Sequence, residues 1–80
     1  MKKYEAKNSN VIGQLVHNYR KFRKLKKVDL CKQLQLHAVY IDSTELKRIE
    51  EGKMIVKDFE LIAFCKVLDI PYEDLKNVIQ

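Results

Sequence analysis

Few side chains in this sequence could do chemistry, and they are scattered. The nucleophiles and soft metal ligands are His17, His37, Cys31 and Cys65. The two cysteines form no CxxC pair, and both fall inside apolar patterns, so reduced core thiols are expected. Neither histidine stands at metal-ligand spacing to a cysteine or an acid. No glycine-rich phosphate loop is present, and no nucleophile–base pair of recognisable spacing. An enzyme is therefore not expected, nor a metal or a cofactor. The chain is richer in donors for a polyanion. Lys and Arg crowd between Arg20 and Lys27, and Ser43, Thr44, Lys47 and Arg48 lie close together farther on.

The charge distribution strengthens that reading. Residues 1–27 carry nine of the 16 Lys/Arg and a single acid, a net +8, while the remaining 53 residues carry a net −3. One end of the molecule should attract a polyanion such as nucleic acid. The 80 residues, 46% hydrophobic and 34% charged, suit one folded domain rather than a disordered tail. That length leaves no room for a large enclosed active site. No apolar run approaches a membrane span, and the charged Met1-Lys2-Lys3 start is not followed by a signal-peptide core. A cytoplasmic protein with no membrane partner is expected.

Residues that could meet a polyanion must be positioned by helices. Residues 1–9 read as a basic arm, and 10–80 as one domain. Asn10 is a candidate N-cap for a helix from Val11 to about Lys24, with Ile12, Val16 and Tyr19 on one face. A second helix spans roughly 28–35, with Val28, Cys31 and Leu34 inward and Leu30 beside them. Residues 36–41 read as a turn that buries Leu36 and Ile41. Asp42, with Glu45 three residues later, predicts a capped third helix from Ser43 to about Glu51. It buries Leu46 and Ile49 and ends at Gly52. A fourth helix is expected at 58–68. Pro71 opens a fifth, at about 71–78, which buries Leu75 and Val78 or Ile79. The result is an all-α domain of five short helices.

Two short helices, a compact turn and a helix with polar outer residues make the layout of a helix-turn-helix. The local sequence carries the likeness further. Arg48-Ile49-Glu50-Glu51-Gly52-Lys53 matches an R-I-E-x-G-K pattern, in register with Ile12-Gly13, Arg20, Leu25, Leu30, Leu34 and Asp58-Phe59-Glu60-Leu61. On these motifs, over about residues 10–78, the chain resembles the Xre family of helix-turn-helix regulators, the Cro/CI type. The resemblance implies a five-helix, lambda-repressor-like DNA-binding domain whose partner is double-stranded DNA. It also implies a regulator of transcription, in particular a repressor that acts by occupying an operator.

The resemblance further implies that Arg20 and Glu50 form a largely buried structural ion pair tying the first helix to the third. Base or phosphate contacts would fall to Ser43, Thr44, Lys47 and Arg48, with Lys26, Lys27 and Lys53 neutralising phosphates. Four departures from the family pattern stand out. Lys26-Lys27 replaces Thr-Gln, Lys24 replaces a common glycine, and Glu45 and Glu51 replace small or neutral residues. A carboxylate near phosphates is repelled, although Glu can accept from cytosine N4. A helix-turn-helix kept as a protein-interaction module with weak DNA affinity, as in an antitoxin, is the alternative.

Val11, Leu15 and Phe22 lie off the inward stripe of the first helix. They form a candidate surface for a homodimer or a protein partner, unless Tyr4 or Val78/Ile79 packs over them. Recognition of two half-sites by a dimer makes the homodimer the expected state.

Overall fold

The computed structural model describes the backbone of residues 4–79 and the side chains of residues 11–75. Five helices follow one another, and no strand occurs among the described residues: α1 Tyr4–Phe22, α2 Lys27–Gln35, α3 Ser43–Glu50, α4 Asp58–Leu68 and α5 Tyr72–Ile79. The first of them starts earlier than Asn10 predicts. Neither Gly nor Pro interrupts residues 4–12, and Glu5-Ala6-Lys7 favours helix, so Asn10 lies inside α1 instead of capping it. The proposed basic arm is thus helical from Tyr4 onward, and residues 1–3 fall outside the described part.

The ends of the first four helices share one device. Lys24, Ala38, Gly52 and Asp69 all have positive φ, between 56° and 77°. At each of the first three, the next N–H reaches back five residues to a helix carbonyl: Leu25 to Arg20, Val39 to Leu34, Lys53 to Arg48. This is the Schellman arrangement, in which a left-handed residue turns the chain and satisfies the last carbonyls. Ile70 closes α4 in the same way, bonding Cys65. Only at Gly52 does a glycine make the turn free of side-chain strain.

This device corrects the expected turn. The reversal at Ala38 sends Val39 inward, 2% exposed, and leaves Leu36 outside, 79% exposed. Ile41 is buried as expected. Val28, expected inward, is half-exposed; Leu30, Cys31 and Leu34 carry the inner face of α2. These three join Ile12, Val16, Val39, Ile41, Leu46, Ile49, Ala63, Phe64, Leu68 and Ile70 in one core. Leu75 packs at its edge, whereas the side chains of Val78 and Ile79 lie outside the described residues.

Helix α1 is the brace, touching α3, α4 and α5, while α2 packs on α3 and α4. Polar ties fix its last turns. The Tyr19 hydroxyl donates to the Asp74 carboxylate of α5, and this bond raises the Tyr19 phenol above its ordinary value. Arg23 Nε donates to the Leu68 carbonyl at 3.0 Å, capping the end of α4. Cys31 is buried and Cys65 half-buried, both as free thiols pushed up by burial. No helix among the described residues is long and apolar enough to cross a membrane.

Candidate nucleic-acid interface

The candidate interface is built around α3. The Asp42 carboxylate accepts the Glu45 N–H at 2.8 Å, and the Glu45 carboxylate accepts the Asp42 N–H at 3.1 Å. Asp thus serves as the cap of a reciprocal box, which satisfies two otherwise orphaned donors. Glu45 is accounted for by this cap. Leu46 and Ile49 are fully buried, so the helix period leaves Ser43, Thr44, Lys47 and Arg48 exposed.

Two contacts seat α3 on α1. The first is steric. A Cβ on Gly13 would stand 2.1 Å from the Ile49 carbonyl oxygen and 3.1 Å from the Glu50 carbonyl carbon. The two backbones approach at a distance only glycine permits. The second is electrostatic. Arg20 Nε donates to Glu50 Oε2 at 2.7 Å, and a terminal Arg20 nitrogen donates to Oε1 at 3.0 Å. The other terminal nitrogen donates to the Leu25 carbonyl at 2.8 Å, which also ties down the link to α2. Side-chain exposure is 6% for Arg20 and 5% for Glu50.

His17 completes the cluster. Its Nδ1–H donates to Glu50 Oε1 at 2.9 Å. Burial pushes the Glu50 carboxyl up, but the hydrogen bonds from Arg20 and His17 outweigh it and hold the group below the ordinary carboxylate value. The bond to Glu50 in turn raises the Arg20 guanidinium. Both therefore stay ionised, and the carboxylate has donors on both oxygens.

The remaining cations surround this anchor unevenly. Lys27, half-buried at the start of α2, and Lys47 of α3 line one cleft of about 330 Å³ with Gln14, His17, Glu50 and Glu51. Lys26, Ser43, Thr44 and Arg48 are exposed but do not line this cleft. Lys26 precedes α2 without a capping side chain of its own; its N–H donates to Asp29 at 3.3 Å. Lys53 follows Gly52, and its Nζ lies 3.4 Å from Glu51, whose other oxygen is 4.0 Å from Lys47 Nζ. Glu51 thus sits between two of the expected phosphate ligands.

Sequence reasoning missed Gly13 as a contact and His17 as a partner of Glu50. Their spacing held the signal: Gly13, His17 and Arg20 fall at i, i+4, i+7 and so share the face of α1 that meets α3. Val11, Leu15 and Phe22 do not make one exposed stripe. Val11 is 45% and Phe22 72% exposed, but Leu15 is partly buried against the core. The Arg23 guanidinium stacks 5.5 Å over the Phe22 ring. The side chains of Tyr4, Val78 and Ile79 lie outside the described residues. No three His, Cys, Asp or Glu side chains gather as a metal site among the described residues. Comparison with protein-family models, curated proteins and solved structures finds no match to this chain.

Proposed function

We propose that the chain is a sequence-specific DNA-binding regulator of the Cro/CI helix-turn-helix type, with α3 as its recognition helix. One observation carries the reading. The inner side of α3 is locked by Leu46, Ile49 and the Arg20–Glu50 pair, while Ser43, Thr44, Lys47 and Arg48 project outward. A helix held this rigidly, with donors and acceptors on its free side, can present them to base edges in a major groove. Lys26, Lys27 and Lys53 flank it as phosphate ligands. Repression would follow from occupying an operator, and a homodimer would read two half-sites.

Titration of labelled duplexes at several salt concentrations tests this. Binding should weaken steeply with salt, and Lys47→Gln should lower the slope of log K against log salt by about one. Thr44→Ala should instead reduce discrimination between sequences. Binding that ignores salt would overturn the reading.

A protein-interaction module is the second reading, and two observations favour it. Glu51 lies 3.4 Å from Lys53 and 4.0 Å from Lys47, and so offsets part of the charge these two offer to phosphates. A cleft of about 810 Å³ also opens beside α4, with Ile12, Val56, Leu61, Ile62, Cys65 and Leu75 as its apolar lining and Asp58, Lys66 and Asp69 as its charged one.

A further inference from the structure

The cleft beside His17 contains a proton-dependent donor. Glu50 is a carboxylate held in its ionised form, so it can only accept hydrogen bonds. The 2.9 Å bond therefore places the His17 proton on Nδ1. In the neutral ring, Nε2 is then a bare acceptor, and only the protonated ring offers an N–H there. His17 is 38% exposed, and Nε2 has no protein partner among the described residues. The charged groups around it are Arg20 on its own helix, Lys27 from α2, Lys47 and Glu50 from α3, and Glu51 just after α3. Glu50 is matched by Arg20, and Glu51 is shared between Lys47 and Lys53. Arg20, Lys27 and Lys47 exceed these two carboxylates by one before His17 is counted.

We propose that this cleft is a phosphate subsite that takes up one proton on His17 Nε2 as the phosphate enters. Lys27 of α2 and Lys47 of α3 supply fixed charge. A phosphate oxygen meeting the neutral ring would face a lone pair; meeting the protonated ring it gains an N–H donor. Phosphate entry and protonation therefore favour each other. The proton comes from solvent, and no covalent bond changes. The subsite deepens the DNA-binding reading, which would supply a backbone phosphodiester, but its chemistry also suits free phosphate.

The test has two arms on the full chain. In the first, a mixed-sequence 20-base-pair DNA duplex is titrated at pH 6 and pH 7.5 at constant salt. Wild type should bind roughly three- to tenfold tighter at the lower pH. His17→Gln should lose most of that ratio, and His37→Gln, in the exposed turn after α2, should keep it. In the second, the ring nitrogens of wild-type His17 are followed by NMR at pH 7 as inorganic phosphate replaces chloride. Nε2 should gain proton character. Equal pH dependence in wild type and His17→Gln would overturn the proposal for DNA. No duplex binding, together with phosphate-dependent protonation of His17, would keep the subsite and reject the DNA reading. Ring nitrogens blind to phosphate, with no pH-dependent duplex binding, would overturn both. The NMR arm stands even if the variant folds poorly.

Discussion

Replacing Gly13 by alanine separates two effects that act in opposite directions. In a helix interior, alanine is better than glycine by about 1 kcal/mol, so propensity alone predicts a more stable protein. The geometry predicts the reverse. The added methyl would lie 2.1 Å from the Ile49 carbonyl oxygen, more than 1 Å inside an ordinary contact, and that oxygen belongs to backbone that cannot swing aside. Relief requires α1 and α3 to part. That motion would disturb Ile12, Val16, Leu46 and Ile49, all buried, and stretch the Arg20–Glu50 bonds. Overpacking of this kind costs up to about 3 kcal/mol, occasionally more. Subtracting the propensity gain leaves a net loss of about 2 kcal/mol, or roughly a 30-fold shift toward the unfolded state. For a domain of this size the melting temperature should fall by about 10 °C. Urea denaturation followed by circular dichroism measures the loss directly. A Gly13→Ala protein as stable as wild type, or more so, would show that α1 and α3 do not meet backbone to backbone.

The other predictions rest on separate contacts. Glu50→Ala leaves the Arg20 guanidinium buried without its carboxylate and should cost roughly 3–5 kcal/mol in chemical denaturation. Because the Glu50 carboxyl is depressed in the folded state, its stabilisation is complete above the unfolded value near 4.5 and fades as pH falls through the lower folded value. Wild type should therefore lose stability on acidification below that point, and Glu50→Gln should show a flatter acid limb. Lys24→Gly should raise stability by up to about 1 kcal/mol, because Lys24 holds φ 60°, whereas Lys24→Val should lower it. Glu51→Gln frees Lys47 and Lys53 and should tighten duplex binding about two- to fivefold, with a steeper salt slope. Phe22→Lys should leave stability within about 0.5 kcal/mol, and loss of a dimer in sedimentation would assign that ring to the interface. Leu15→Glu is the poorer probe, since Leu15 also packs on the core.

Much of the helical order was legible because apolar residues recur at helical spacing and helix caps have chemical signatures. The Asp42/Glu45 box and Gly52 marked both ends of α3 closely. The start of α1 was not legible in the same way: Asn10 is a good cap, but it suits a helix surface as well, and nothing upstream stops the helix. The exposure of Leu36 was not legible because the reversal at Ala38 carries no glycine to announce it. Left-handed Lys24 and Asp69 likewise carry no glycine to mark them. Val28 shares the spacing of three with Cys31 and Leu34, but it stands in the first turn of α2, and Leu30, Cys31 and Leu34 form the buried face without it. In the candidate site, Arg20 and Glu50 were legible through the resemblance that the R-I-E-x-G-K stretch carries. His17 was not, because its partner lies 33 residues away and only the packing of α1 on α3 brings them together. The pairing of Glu51 with both Lys47 and Lys53 likewise needed the turn at Gly52.

Selection of the purified protein against random duplexes, read by sequencing, tests the central claim most directly. If α3 reads DNA, a defined motif is enriched, repeated at fixed spacing if the protein binds as a dimer, and the motif is lost when Thr44 and Lys47 are replaced. Weak salt-sensitive binding with no enriched sequence would contradict it and move α3 from a reader of DNA to a structural helix.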